Sequence, residues 1–184
     1  MNRPDAETLR RLLLQRSVRH GDFMLASGQR SSYYIDCRQS TMSAEGMVLI
    51  GRLGWEAIRA EGWRPRSLGG LTLGADPVAY AVAAASWGTD LVLDAFSVRK
   101  EAKAHGTGRR IEGNFDTGDR VVVVEDVITS GGSARQAIEA VRASGGVVAG
   151  VLAVVDRGQG GREMLEALDL KVHALTSSAE LGLA

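Results

Sequence analysis

The pattern of hydrophobic and polar positions changes its period many times along this chain. Short apolar runs alternate with longer stretches in which apolar residues recur every three or four positions, and this predicts strands alternating with helices. The predicted helices cover 5–18, 43–62, 76–87, 131–146 and 161–170. The predicted strands cover 67–71, 91–98, 120–126, 147–156 and 171–176, with two shorter strands within 23–40 around a turn at 27–30.

Helix-capping signals accompany two of these helices. Ser43 or Thr41 is expected to cap the helix over 43–62. Asp76 is expected to cap the next helix, because Pro77 follows it and proline is favoured at the first helical position. The alternation as a whole predicts an α/β fold with a central, mostly parallel sheet flanked by helices.

Functional side chains are predicted to meet at one edge of this sheet. The strands over 120–126 and 147–156 are apolar on both faces, as central parallel strands are. In such sheets, ligands bind beyond the carboxyl ends of the strands. Glu125 and Asp126 lie at one such end, Asp156 to Gly158 at the next, and the stretch 94–100 leaves an earlier one.

The stretch "VVVVEDVITSGGSA", 121–134, carries the clearest candidate chemistry. Its Thr129 to Ser133 turn opens a helix, and a helix N-terminus with glycines and hydroxyls suits a phosphate. Carboxylates such as Glu125 and Asp126 accept hydrogen bonds from vicinal hydroxyls and can hold Mg²⁺ through water. The stretch therefore predicts a ribose-phosphate site; the alternative is a capped turn with two solvated acids.

Composition and charge narrow the class of protein. The chain has 184 residues, 45% of them hydrophobic and 24% charged, which fits one globular domain over 1–184. Basic and acidic residues balance at 22 each, so charge gives no reason to expect nucleic acid as a partner. No apolar run reaches the roughly 20 residues of a membrane span. The single cysteine, Cys37, fits a reducing cytoplasm, where we expect the protein to work.

The stretch 121–134 resembles the signature of the type I phosphoribosyltransferases, which bind phosphoribosyl pyrophosphate (PRPP). That signature is an apolar strand, two acids and a glycine-rich Thr/Ser turn. The resemblance implies the fold of that family, with a small N-terminal hood over about 1–40. It also implies that PRPP binds at this turn.

Further stretches resemble one branch, the orotate phosphoribosyltransferases. "RKEAKAHGTG" resembles the R-K-x-x-K-x-H-G-x-G catalytic loop, and we expect 99–113 to form a mobile loop. "FMLASGQRSSYYIDCR" resembles F-x-L-x-S-G-x-x-S-x-x-Y-x-D-x-R, and "VVDRGQGGRE" resembles V-D-R-x-x-G-G. Ala26 and Gly74 depart from the family, because some members carry lysine at these two places.

The resemblance implies a role for each candidate residue. The catalytic residues would be Lys103, His105 and Asp126. PRPP would be bound by Arg99, Lys100, Lys103, His105, Glu125, Asp126, Val127, Ile128, Thr129, Ser130, Gly131, Gly132 and Ser133. Orotate would be bound by Thr129 and by Arg157, whose alternative is a surface ion pair with Asp156.

Other residues receive expectations of a simpler kind. Arg109 and Arg110 are expected to be solvated, and Phe96 is the aromatic residue best placed to touch a bound base. Cys37 is expected in a strand, without signs of an activated thiol.

The implied activity is transfer of the phosphoribosyl group from PRPP to orotate, which gives orotidine 5′-monophosphate and pyrophosphate in pyrimidine biosynthesis. Mg²⁺ would be the cofactor, held mainly by PRPP and not by direct protein ligands. The protein would be a homodimer with shared active sites, without nucleic-acid or membrane partners. Two alternatives remain, a purine or xanthine phosphoribosyltransferase and a PRPP-sensing regulatory protein of the same fold.

Overall fold

Fourteen elements make up the described part of the chain, which in this computed structural model covers residues 2–24, 30–101 and 110–183. The helices are α1 Arg3–Arg16, α2 Arg38–Thr41, α3 Ala44–Ala60, α4 Ala75–Ser86, α5 Gly132–Ala143 and α6 Gly161–Glu166. The strands are β1 Val18–Met24, β2 Arg30–Ile35, β3 Ser67–Leu71, β4 Asp94–Val98, β5 Ile111–Gly113, β6 Arg120–Ile128, β7 Val147–Asp156 and β8 Val172–Ser177.

The strands of the described residues form two sheets. The larger has six strands in the order β5-β4-β3-β6-β7-β8, and every neighbouring pair is parallel except the edge pair of β4 and β5. The smaller sheet pairs β1 with β2 antiparallel, near the N-terminus. The predicted α/β class, with a mostly parallel central sheet, is therefore confirmed.

Strand β6 divides the hydrophobic core into two layers. Val122 and Val124 pack into the cluster that also holds α1, α3 and α4 side chains, whereas Val121 and Val123 pack into the cluster beside α5. Successive side chains of a strand point to opposite faces, so an unbroken run of valines buries both faces of the sheet. Strand β6 is thus an inner strand of the sheet, with β3 and β7 on its two sides.

The structure confirms one of the two expected helix caps and contradicts the other. Ser43 does cap α3, accepting a hydrogen bond from the Gly46 amide at 3.1 Å. Asp76 does not cap α4, because the helix already begins at Ala75; the Asp76 carboxylate instead accepts a hydrogen bond from Ser97 at 2.7 Å. The sequence pattern also missed α2 and the three-residue strand β5, both too short to show a period.

Within the described residues, no helix is both long and apolar enough to cross a membrane.

Candidate active site

A cavity of about 820 Å³ lies at the carboxyl ends of β3, β6 and β7. Four stretches supply most of its lining: 34–38, 71–74, 125–127 and the turn at 129–133. Lys100 and Arg157 complete the wall. The predicted convergence of strand ends on one edge of the sheet is thus confirmed, and the N-terminal segment adds a wall that the pattern did not predict.

The turn between β6 and α5 has the shape of an anion cradle. Gly131 adopts a φ of +76° just before the helix begins, and a side chain there would press on Met164 at 2.5 Å. Thr129, Ser130 and Ser133 line the main cavity, and Gly131 and Gly132 line an adjoining space of about 280 Å³. The first amides of α5 therefore open onto this turn, as an anion site at a helix N-terminus requires.

The two acids lie inside β6 and not at its end, because the strand continues to Ile128. Asp126 is partly buried, and its Oδ1 accepts a hydrogen bond from the Val127 amide at 2.9 Å. Glu125 is only 6% exposed, and burial together with the negative charge of Asp126 raises its pKa well above the ordinary range. The alternative of two solvated acids is therefore excluded.

A steric contact with Asp126 explains why position 74 is glycine. A Cβ atom there would lie 2.6 Å from Oδ1 of Asp126, so any side chain would collide with that carboxylate. The loop after β3 can approach Asp126 closely because Gly74 has no side chain. The lysine that some family members carry at this place could not fit without a shift of the backbone or of Asp126.

Arg157 is buried at the carboxyl end of β7. Its side chain is 7% exposed, and its Nη2 donates to the Ser31 hydroxyl at 3.2 Å. The alternative of an ion pair with Asp156 is wrong, because Asp156 pairs instead with Arg162 at 2.7 Å. A buried guanidinium on the cavity wall without a carboxylate partner among the described residues is a candidate anion binder.

The residues expected to form the catalytic loop differ in their surroundings. Lys100 lines the cavity, but the Arg99 guanidinium faces Glu112 at 3.1 Å. Arg110 is not solvated as expected: it is half-buried and donates to the backbone carbonyls of Arg99 and Lys100. Lys103, His105 and Arg109 lie outside the described residues, as does Ala26.

Three further expectations need correction. Phe96 is 1% exposed and packs against Phe115 in the core, so it is not the aromatic residue that faces the cavity. Ile128 is also fully buried and lines neither cavity; its carbonyl accepts a hydrogen bond from the Arg157 amide at 2.9 Å. Cys37 is the residue just before α2 and does not lie in a strand.

The N-terminal segment contributes a wall of the cavity that the sequence pattern did not predict. Tyr34, Asp36 and Arg38 line it, with Arg38 bonded to Asp36 at 2.8 Å. That bond holds the pKa of Asp36 below its ordinary range. All three are fixed letters of the F-x-L-x-S-G motif segment quoted above, so the sequence carries a signal for them. Cys37 lies among them, and burial raises the pKa of its thiol, which leaves it unreactive.

Known proteins that are similar to this chain carry the name orotate phosphoribosyltransferase. The chain is 42% identical over 183 residues to the orotate phosphoribosyltransferase of Rhodopirellula baltica, covering 97% of this chain and 95% of that one. It is 45% identical to the orotate phosphoribosyltransferase of Aquifex aeolicus, covering 96% and 97%. No family model matches the chain.

Solved structures agree with this result. An orotate phosphoribosyltransferase of Mycobacterium tuberculosis in complex with Fe(III) dicitrate superposes with a TM-score of 0.86 at 46% identity, covering 98% of this chain and all of that one. The same enzyme in complex with PRPP gives a TM-score of 0.83 at 42% identity, with 98% and 100% covered. An adenine phosphoribosyltransferase of Leishmania donovani, at 18% identity and a TM-score of 0.65 over 96% of this chain and 82% of that one, shares the fold.

Proposed function

The chain belongs to the orotate phosphoribosyltransferase family, and we propose that its main cavity carries out that family's reaction with the residues placed above. The reaction transfers the phosphoribosyl group from PRPP to orotate in pyrimidine biosynthesis. The arrangement of the cavity carries the assignment. The anion cradle at 129–133, the Asp126 carboxylate and the buried Arg157 all line the same cavity.

In this proposal the two ends of the cavity hold different substrates. The turn 129–133 holds the 5-phosphate of PRPP through backbone amides and hydroxyls, and Asp126 and Glu125 accept hydrogen bonds from the ribose hydroxyls. Arg157 holds the orotate carboxylate, with Thr129 beside the base. An arginine fork suits a carboxylate, so this contact would distinguish orotate from a base that lacks one.

The chemistry needs little covalent help from the protein. The bond between ribose C1 and orotate N1 forms while the bond between C1 and the pyrophosphate oxygen breaks; pyrophosphate keeps the electron pair, and the N1 proton passes to pyrophosphate or solvent. Lys100, Lys103 and His105 would stabilise the negative charge that grows on pyrophosphate, with Arg99 contributing if it leaves Glu112. A loop closed over the cavity would also exclude the water that could hydrolyse PRPP.

Mg²⁺ is the proposed cofactor, and the donor set fits an ion that reaches the site with PRPP. Asp126 supplies a carboxylate to the cavity, but the described residues contain no group of three or more side chains able to hold a metal by themselves. Asp126 and Glu125 would be the residues near the ion, acting through water and the ribose, and PRPP would supply most of its oxygen ligands. Bound there, Mg²⁺ would neutralise charge on the leaving pyrophosphate.

A panel of bases tests the activity. With PRPP and Mg²⁺, we expect pyrophosphate release with orotate, little with uracil, adenine or hypoxanthine, and none after chelation of Mg²⁺. Faster turnover of a purine than of orotate would overturn the substrate assignment. PRPP binding without release of pyrophosphate with any base would instead support a sensor.

A homodimer with shared active sites, working in the cytoplasm, completes the proposal. In it, the loop 99–108 of one chain closes over the Asp126 site of the other; residues 111–113 of the expected mobile loop 99–113 instead form strand β5. Lys103→Ala and Asp126→Asn should each inactivate the homodimer, whereas mixed dimers would contain one intact site. With random exchange of subunits, about one quarter of the wild-type activity should return. No recovery after demonstrated subunit exchange would show that the loop serves its own chain.

A further inference from the structure

Tyr33 lies behind the candidate orotate-binding arginine and outside the cavity. Its ring is 4.7 Å from the Arg157 guanidinium carbon, measured to the ring centroid, and Tyr33 is 9% exposed. Tyr34 and Arg157 line the cavity, but Tyr33 does not. Tyr33 therefore contacts the arginine without reaching the space that a substrate would occupy.

The hydroxyl of Tyr33 ties the ring to the strand end that carries Arg157. It donates to the Ser178 hydroxyl at 3.2 Å, and the Ser178 amide donates to the Asp156 carbonyl at 2.8 Å. Ser31, two residues before Tyr33 on β2, accepts from Arg157 Nη2 at 3.2 Å and donates to the Tyr33 carbonyl at 2.7 Å. The ring and Ser31 together form an N-terminal clamp on the guanidinium.

The chemistry of this clamp is informative. A buried guanidinium needs compensation, and a carboxylate is the usual partner. A carboxylate would also occupy the fork and neutralise the charge. An aromatic face attracts the cation without using its N–H donors. Among the described residues, Asp156, the acid next in the chain, is already paired with Arg162.

We propose that Tyr33 is a positioning residue for orotate specificity: it fixes the Arg157 guanidinium while leaving its charge for the carboxylate of the base. The inference rests on the proposed role of Arg157. It makes the N-terminal β1–β2 sheet part of base selection, through a residue that touches no substrate.

The test separates the ring from the hydroxyl and orotate from PRPP. Tyr33→Leu removes the aromatic face, and we expect the KM for orotate to rise about 10-fold, as the loss of a desolvated cation–π contact predicts, with the KM for PRPP changed less than about 2-fold. Tyr33→Phe keeps the ring and should hold the orotate KM within about 2-fold of wild type. Melting curves show whether each variant is folded, and Tyr33→Met replaces Tyr33→Leu if the latter is not.

A double-mutant cycle with Arg157→Ala decides whether Tyr33 acts through the arginine. We expect Tyr33→Leu to add less than about 2-fold to the orotate KM once Arg157 is already alanine, because the two residues form one unit. Equal increases in both substrate KM values, or a full additional 10-fold in the double variant, would overturn the proposal. If Arg157→Ala itself leaves the orotate KM unchanged, the proposed role of Arg157 fails, and the inference fails with it. If Arg157→Ala raises it and Tyr33→Leu does not, only the inference on Tyr33 fails.

Discussion

Strands β6 and β7 are neighbours in the sheet, and both carry acids near their carboxyl ends, but they balance charge in opposite ways. On β7, the Asp156 carboxylate accepts from Arg162 at 2.7 Å and from the Gly158 amide at 2.9 Å. On β6, Glu125 is as deeply buried as Asp156, at 6% exposure each, yet no ion pair of Glu125 occurs among the described residues. The charged group that acts on the Glu125 carboxyl is Asp126, which carries the same sign.

This difference separates structural acids from binding acids. A buried charge is stable when it is paired, and an unpaired one costs free energy that selection would remove without a compensating use. Asp156 is paired within the chain and thereby leaves Arg157 without its adjacent acid. Neither Glu125 nor Asp126 forms an ion pair among the described residues, and the raised pKa of Glu125 favours its protonated form, as expected of groups that await a ligand.

The strongest test of this contrast removes the charge of Asp126. Asp126→Asn keeps the shape of the side chain, so we expect the melting temperature to change little. We expect kcat/KM to fall by about 10²–10³-fold, which is typical of losing one well-placed electrostatic contact to a transition state. Steady-state pyrophosphate release combined with a melting curve measures both. A variant that loses stability but keeps its activity would place Asp126 with the structural acids.

The next test addresses the arginine that Asp156 leaves available. Arg157→Ala should raise the KM for orotate far more than the KM for PRPP, and should cost about 2–4 kcal/mol in kcat/KM, taking charge-assisted hydrogen bonds as the guide. Initial rates with each substrate varied separately give the two constants. Equal effects on both substrates would remove Arg157 from the orotate end of the cavity.

On the β7 side, breaking the internal pair should affect stability. Arg162→Ala leaves the Asp156 carboxylate buried without its cation and removes the donor that reaches the Val172 carbonyl at 2.7 Å. Because Arg162 is about one third exposed, we expect a loss of about 2 kcal/mol, below the usual range for fully buried pairs. Denaturant unfolding measures it.

A matched control exists on α5. Arg135→Ala breaks the pair with Glu139, in which both side chains are more than half exposed. Such pairs contribute less than about 1 kcal/mol, so this variant should unfold almost as the wild type does. If both variants lose the same stability, the Asp156–Arg162 pair has no special structural role.

Much of the fold could be predicted because its signals are local. The valine run predicts strand β6, and the glycines after α5 predict the end of that helix, from a few neighbouring residues each. The turn 129–133 could be predicted for the same reason, since a helix N-terminus and its hydroxyls are contiguous in sequence.

What could not be predicted depends on contacts between distant residues. Arg162 forms an ion pair with Asp156 across a loop, and the Tyr33 ring contacts Arg157, which lies far away in the sequence. The burial of Phe96 and Arg110 is likewise set by neighbours that a hydrophobic pattern does not name. The hydrophobic pattern of a sequence predicts whether a segment is a helix or a strand. It does not predict which of several side chains will pair with a given partner.

The smallest expected effect concerns the proton on Glu125. Burial and the charge of Asp126 raise the pKa of Glu125 in the folded protein, whereas the unfolded chain releases its proton near the ordinary value of 4.5. Below that pH both states hold the proton; above it the unfolded state gains by ionising, so stability falls as pH rises from about 4.5 towards the folded pKa. Glu125→Gln cannot ionise, and its free energy of unfolding should therefore fall less over this range. Denaturant unfolding from pH 4 to pH 8 measures the difference, with the exposed Glu139→Gln as control. Parallel curves for wild type and Glu125→Gln would mean that Glu125 is compensated like Asp156, and the contrast between the two strand ends would disappear.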